Sequence, residues 1–187
     1  MIVRRLTDFS TVEQLYNTRM KKDFPRDELK PLAMMRHFWE KDRYDCYGLF
    51  DGEEILGYAF FVRREGDYLF DYFAIAQEHR NEGLGTLFLQ QLSGYLQGAN
   101  CIVVEVEEPK RAENEADRAL RERRLQFYLR SSYRLTELTC KVFGVEYRIL
   151  EVPTAAAHTT DELRAVYTGL YRSMLPAVLF HTQVRML

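Results

Sequence analysis

Apolar positions change their spacing several times along the chain, and each change marks an element. Residues 2–6 read as a short opening strand. Thr7 or Ser10 can cap a helix over about residues 11–21. The run Phe24-Pro25-Arg26-Asp27-Glu28 breaks that helix and leads into a second. There Pro31 falls in the first turn, where a missing N–H costs little, and Leu32, Met35 and Trp39 recur at helical spacing to about Lys41. After Asp45 the pattern turns extended. Residues 46–50, 55–63 and 68–76 read as three strands, joined by turns at Asp51-Gly52-Glu53 and Glu65-Gly66-Asp67, which makes an antiparallel meander.

The helix that begins near Gly83 carries one apolar stripe of Leu84, Leu87, Phe88, Leu92, Tyr95 and Leu96. Gly98-Ala99-Asn100 ends it and residues 101–107 form a fifth strand. A helix now separates two strands, so the fourth and fifth can run parallel. Residues 108–117 are polar and loop-like, and residues 119–131 form a basic helix with Leu120, Phe127 and Tyr128 on one side. Residues 133–143 and 145–152 close the pattern as two strands around Gly144. Thr160-Asp161-Glu162 then caps a helix to about Met174, Pro176 marks its end, and residues 177–187 read as a strand or an ordered tail. The sum is a mixed α/β (α+β) fold with a mostly antiparallel central sheet of about seven strands flanked by helices. Residues 1–152 form one domain, and residues 153–187 add a C-terminal helix and tail packed on it.

Composition narrows the partners. A chain of 187 residues with 47% hydrophobic residues suits a single globular domain, and a net charge of −2 supplies no global field for nucleic acid or anionic membrane. Cys46, Cys101 and Cys140 are widely spaced, and neither they nor His37, His79, His158 and His181 show metal-ligand spacing, so no metal is expected. The N-terminal segment lacks the apolar core of a signal peptide, and no stretch has the length of a membrane span. The expectation is a cytoplasmic protein, a monomer or homodimer.

One turn carries chemistry. In Ile75-Ala76-Gln77-Glu78-His79-Arg80-Asn81-Glu82-Gly83-Leu84-Gly85-Thr86 a strand ends, a loop follows and a helix starts at the glycines. Helix N-termini present unpaired N–H groups and the positive end of a dipole, which suits a pyrophosphate. Gly83 and Gly85 permit close backbone approach, Arg80 adds charge and Thr86 a hydroxyl. No Gly-Lys-Ser/Thr follows, so the turn is not a P-loop, and the meander around it excludes a dinucleotide fingerprint. The plain alternative is a helix start whose glycines serve packing alone.

The segment Asp71-Tyr72-Phe73-Ala74-Ile75 followed by Arg80-Asn81-Glu82-Gly83-Leu84-Gly85 resembles the acetyl-CoA-binding motif of the Gcn5-related N-acetyltransferase (GNAT) superfamily. The resemblance runs from about residue 1 to 152. It implies that the fourth and fifth strands splay to admit the pantetheine arm, and that the loop from Arg80 through Asn81, Glu82, Gly83, Leu84 and Gly85 to Thr86 holds the CoA pyrophosphate. It also implies that the backbone of Phe73, Ala74 and Ile75 pairs with the pantetheine amides, with the Ile75 N–H available to an oxyanion. A second match, Arg123-Arg124-Leu125-Gln126-Phe127-Tyr128, is similar to the family's late helix, whose tyrosine protonates the leaving thiolate; Tyr128 takes that position, and Ser132 stands where the family has glycine.

The implied reaction is transfer of an acetyl group from acetyl-CoA to a small-molecule or peptide amine by direct attack, without a covalent enzyme intermediate. The alternative is a non-catalytic acyl-CoA sensor of the same fold. Candidate carboxylates for binding or deprotonating the amine are Glu105 and Glu107, which share one face of the fifth strand, and Asp71, which sits in an apolar run and needs a partner such as an arginine or a role. The arginines of the basic helix read mainly as a solvated face paired with Glu113, Glu115 and Glu122. Arg124 is the exception, one turn before Tyr128 and available to CoA.

Overall fold

The computed structural model describes residues 1–26, 28–152, 154 and 156–187. The described chain divides into two compact units, Met1–Arg63 with Asp71–Tyr95, and Arg64–Phe70 with Leu96–Leu187. Eight strands hydrogen-bond in the order β1-β2-β3-β4-β5-β7-β6-β8. They are β1 (Ile2–Arg5), β2 (Tyr44–Asp51), β3 (Glu54–Arg64), β4 (Asp67–Ile75), β5 (Cys101–Glu107), β6 (Arg134–Val142), β7 (Val145–Val152) and β8 (Val184–Met186). The expectation of about seven strands falls one short. The eighth is β8, antiparallel to β6 through Cys140↔Met186 and Val142↔Val184, and three residues are too few to display a period-2 pattern.

In the first unit β1, β2 and β3 form an antiparallel set. Helix α1 (Phe9–Leu15) is capped neither by Thr7 nor by Ser10. Asp8 serves instead, its carboxylate accepting the Ser10 N–H at 3.0 Å, an equally good N-cap chemistry. The helix expected over 11–21 widens into a π-helical turn at Tyr16–Met20 and ends as α2 (Lys21–Asp23). Val12, Leu15 and Met20 along this run are buried. Helix α3 (Leu32–Glu40) follows Pro31, which stands at its N-cap, and buries Met35 and Phe38. Helix α4 (Leu84–Tyr95) buries Leu84, Phe88, Leu89 and Leu92. It is tied to β1 by hydrogen bonds from the Val3 N–H to Gln91 Oε1 (2.9 Å) and from the Tyr95 hydroxyl to the Val3 carbonyl (2.8 Å). Gly57 on β3 lies against the end of β4. A Cβ there would stand 2.6 Å from Ile75 Cδ1 and 2.9 Å from the Ala74 carbonyl oxygen, so only glycine lets the strands meet.

In the second unit the expected parallel pair forms: β4 residues 67–70 match β5 residues 101–104, from Asp67↔Cys101 to Phe70↔Val104. β5 continues antiparallel against β7, and β7 against β6. Helix α5 (Glu115–Arg130) starts four residues ahead of the expected residue 119, because Asn114 accepts the Asp117 N–H at 2.9 Å and nucleates the helix in polar sequence. Helix α6 (Thr160–Met174) opens with a capping box between Thr159 and Glu162 and buries Leu163, Tyr167, Leu170, Tyr171 and Met174. Its contacts include β5 and β6. A further short helix, α7 (Ala177–Gln183), follows Pro176 and precedes β8. Among the described residues no helix is long and apolar enough to cross a membrane.

Candidate active site

In the first unit β4 ends at Ile75, a 3₁₀ turn follows at Gln77–His79, and the chain enters α4 through Asn81 and Gly83, both left-handed with φ of 69° and 80°. The first i→i−4 helical bond runs from the Leu87 N–H to the Gly83 carbonyl at 3.1 Å. The N–H groups of Leu84, Gly85 and Thr86 therefore precede the helical ladder and point out of the helix start. Asn81, Glu82, Gly83 and Thr86 are exposed, Gly85 is half-buried, and Leu84 anchors the turn in the core. A Cβ on Gly83 would meet nothing within 4 Å, so the demand for glycine here is conformational, not steric. The Arg80 guanidinium donates from Nε to the Ile75 carbonyl (3.1 Å) and from Nη2 to Asp23 Oδ1 (2.7 Å). His79 Nδ1 lies 3.2 Å from Glu82 Oε2.

Ala74 and Ile75 are buried, and the Phe73 ring packs 5.6 Å from that of Phe88. Asp71 is 3% exposed in its side chain. It has an ion pair with Lys30 and accepts the Tyr44 hydroxyl at 2.6 Å, so its cationic partner is a lysine from the segment before α3, not an arginine. Next to it the Tyr72 hydroxyl accepts the Lys30 N–H (2.7 Å) and donates to the Glu28 carbonyl (3.0 Å). Burial raises the Tyr72 phenol above its ordinary pKa against the opposing charge of Lys30. Two β4 side chains thus pin the segment that leads into α3.

In the second unit Tyr128 lies in the last turns of α5, its ring 5.2 Å from those of Phe127 and Tyr133 and 6.3 Å from that of Phe70. Burial pushes its phenol above the ordinary value, and the Arg124 charge opposes that shift. Ser132, where the resemblance implies glycine, adopts a left-handed φ of 66°, so α5 ends in the conformation that glycine favours. Glu105 and Glu107 turn to different helices. Glu105 accepts the hydroxyls of Tyr167 and Tyr171 (2.7 Å for the latter) on α6. Glu107 is bridged by Arg121 and Arg124 of α5, each at 3.0 Å. Arg124 is therefore part of an ion-pair cluster. The expected solvated pairing holds for Arg118 with Glu122 at 3.0 Å.

Several side chains that shape these groups escaped sequence reasoning. Asp23 holds Arg80 with one oxygen and accepts the Tyr58 hydroxyl (2.8 Å) with the other, and burial together with Asp23 raises the Tyr58 phenol. Nothing local marks Asp23 or Lys30 for these tasks. Tyr167 and Tyr171 carried a readable signal, an i,i+4 pair of phenols on one face of a predicted helix.

A strand that runs into a left-handed turn at a helix N-terminus, in a mixed sheet whose β4 and β5 run parallel, defines a mixed α/β protein with free helix-start N–H groups at the end of β4. The model of the acetyltransferase (GNAT) family matches residues 10–127, and the chain belongs to that family. Solved structures share the fold. A protein from Bacteroides thetaiotaomicron assigned to the GNAT acetyltransferases has a TM-score of 0.70 at 20% identity, covering 93% of this chain and 98% of its own. The ribosomal-protein-S18-alanine N-acetyltransferase of Escherichia coli has 0.58 at 15% identity, over 84% and 96%. A Bacillus subtilis acetyltransferase in complex with CoA has 0.54 at 14% identity, over 81% and 97%. Among curated proteins none matches the sequence.

Proposed function

We propose that this protein is an N-acetyltransferase that moves the acetyl group of acetyl-CoA to a primary amine or α-amino group by direct transfer in a ternary complex. The observation that carries the reading is the left-handed Asn81–Gly83 turn at the start of α4, directly after β4, in a chain of the GNAT family. The N–H groups of residues 83–86 receive the pyrophosphate, and Arg80 contributes charge once it leaves Asp23. The backbone of residues 73–75 takes the pantetheine amides as an added strand would. CoA bound to a Bacillus subtilis protein of this fold supports the choice of ligand. The named substrate of the Escherichia coli structure, a protein α-amine, supports the class of acceptor.

In the reaction the neutral amine nitrogen attacks the thioester carbonyl carbon, the C–S bond breaks, and the nitrogen gives up a proton while the sulfur gains one. Tyr128 donates a hydrogen bond to the departing sulfur, whose proton comes from water as the nitrogen gives one up to water or a carboxylate. Asp71, Glu105 and Glu107 are the carboxylates considered for the amine. Asp71 and Glu107 are paired with cations and Glu105 accepts from the phenols of Tyr167 and Tyr171, so each is tested by its isosteric amide.

A panel of amines incubated with acetyl-CoA and a thiol reagent tests the reading. Thiol release that depends on one class of amine is expected. The engagement of all three carboxylates favours a second reading, a protein that binds acyl-CoA without turning it over. Thermal stabilisation by acetyl-CoA with no amine-dependent release selects that reading, and absence of both removes CoA from the account. The turn itself is checked by Gly83→Val. A β-branched residue at φ 80° strains the left-handed turn at about 1–3 kcal/mol, so the CoA Kd should rise about tenfold or more and Tm should fall by no more than that strain accounts for, about 2–12 °C, the site being open to the added side chain. An unchanged Kd would place the pyrophosphate elsewhere.

A further inference from the structure

Three chemistry-bearing side chains outside the acetyl-transfer site converge at one end of the second unit's sheet. Cys101 is the first residue of β5. Glu151 lies on β7 opposite Val103, so Cys101, two residues from Val103, shares its face of the sheet. His158 arrives just before the N-cap of α6. The Cys101 sulfur, a Glu151 carboxylate oxygen and a His158 ring nitrogen all lie within 4.8 Å of one another. We propose that Cys101, Glu151 and His158 form a binding site for a divalent transition-metal ion, zinc in its ligand preference.

A thiolate, an imidazole and a carboxylate from three separate segments are the donor set of a three-ligand zinc site, with water completing the tetrahedron. Outer-shell support is in place. The Arg134 guanidinium grips Glu151 Oε2 from Nε (3.0 Å) and Nη2 and donates to the His158 carbonyl at 2.8 Å. Glu151 Oε1 accepts the His158 N–H (3.2 Å) and faces His158 Nδ1. One carboxylate oxygen is thus fixed by Arg134 and the other is aimed at the imidazole, and this pair must open from its hydrogen-bonded spacing to admit an ion at about 2.0–2.2 Å from each. Cys101 and Glu151 have no exposed surface, and the His158 side chain, 24% exposed, leaves an entry path.

Charge balance sets the conditions. Asp67, the register partner of Cys101, interacts electrostatically with both His158 and Arg64. Arg134 offsets Glu151, while Arg64 is shared between Asp67 and Glu65, which it pairs with at 3.1 Å. Binding requires the Cys101 thiol to release its proton as the metal–sulfur bond forms, and the imidazole proton to move to Nε2 or leave. The affinity therefore falls as pH falls. A polar clasp of Arg134, Glu151 and His158 accounts for every contact except the sulfur, and the sulfur is what the test interrogates.

Metal-free full-length protein is titrated with Co²⁺ at neutral to mildly alkaline pH. The expected result is a thiolate-to-cobalt charge-transfer band in the near ultraviolet that saturates at one equivalent and is displaced by Zn²⁺. His158→Ala and Cys101→Ser should each raise the Co²⁺ Kd by more than the roughly 10–100-fold that loss of an outer-shell partner costs. Cys46→Ala and Cys140→Ala should leave the band intact. Should Cys101→Ser fail to fold, His158→Ala decides alone, since an exposed ring edge tolerates truncation. No band with a stoichiometric amount of Co²⁺, or a band that survives these substitutions, overturns the site and leaves the clasp. The outcome is independent of whether acetyl transfer is observed.

Discussion

Tyr128→Phe is expected to lower kcat by about 100-fold, the lower end of what a positioned proton donor contributes, with CoA affinity nearly unchanged. The ring is held by Phe127, Tyr133 and Phe70, and phenylalanine keeps all three contacts. Only the hydroxyl is lost. The physical point is the direction of its pKa. A CoA thiol titrates near 8.5, as thiols do, whereas burial lifts the Tyr128 phenol above the usual value of about 10. Complete proton transfer from phenol to thiolate is thus uphill in the free protein by about 1.4 kcal/mol per unit of difference. In the proposed reaction the phenol would therefore act by donating a strong hydrogen bond to sulfur as charge develops, and Arg124, whose charge pulls the pKa back down, would make it a better donor. Two measurements separate this from packing. The alkaline limb of the wild-type pH–rate profile should show no loss attributable to Tyr128 below about pH 10, because the phenol stays protonated there. In addition, Arg124→Met should lower kcat in the wild type and have little further effect in Tyr128→Phe. Equal turnover of Tyr128→Phe at saturating acetyl-CoA would remove the tyrosine from the mechanism.

What the sequence showed and what it hid divide along the range of the interaction. The helix of Leu84, Phe88 and Leu92 and the α6 cap are periodic or local signals, legible because the residues that decide them lie within a few positions of one another, and the parallel pairing of β4 with β5 follows from the helix that separates them. The turn at Gly83 is of the same kind. The carboxylates are not. Asp71 reads as an acid in need of a partner, but its lysine lies 41 positions away and its tyrosine 27. Glu105 and Glu107 share a strand face by alternation. Yet one meets phenols of α6 and the other arginines of α5, a difference made by helices whose order on the sheet no periodicity encodes. The same holds for Cys101, Glu151 and His158, scattered in sequence and gathered by strand register. Ser132 shows the converse: a departure from the expected glycine that backbone conformation absorbs.

Asp71→Leu should be strongly destabilising. It strands the Tyr44 hydroxyl, on a residue only 3% exposed, and deprives the Lys30 ammonium of its carboxylate. Breaking one side of a buried pair costs about 3–5 kcal/mol, and the partial exposure of Lys30 puts this case near the lower figure. For a chain of this length that corresponds to a fall in Tm of roughly 6–12 °C. The double variant Lys30→Met/Asp71→Leu should recover a good part of the loss, because replacing both charges by apolar groups leaves only the Tyr44 hydroxyl unsatisfied, at about 1–3 kcal/mol. Additive effects in this cycle would mean the pair is not coupled. The isosteric Asp71→Asn then separates anchor from base. As an anchor, Asp71 fixes the segment before α3 to β4 alongside Tyr72, so Asn lowers Tm and leaves kcat per folded molecule near wild type. As a base, Asn leaves most of the stability and removes about two orders of magnitude of turnover. The ion pair with Lys30 and the hydrogen bond from Tyr44 occupy both carboxylate oxygens, which points to the first outcome.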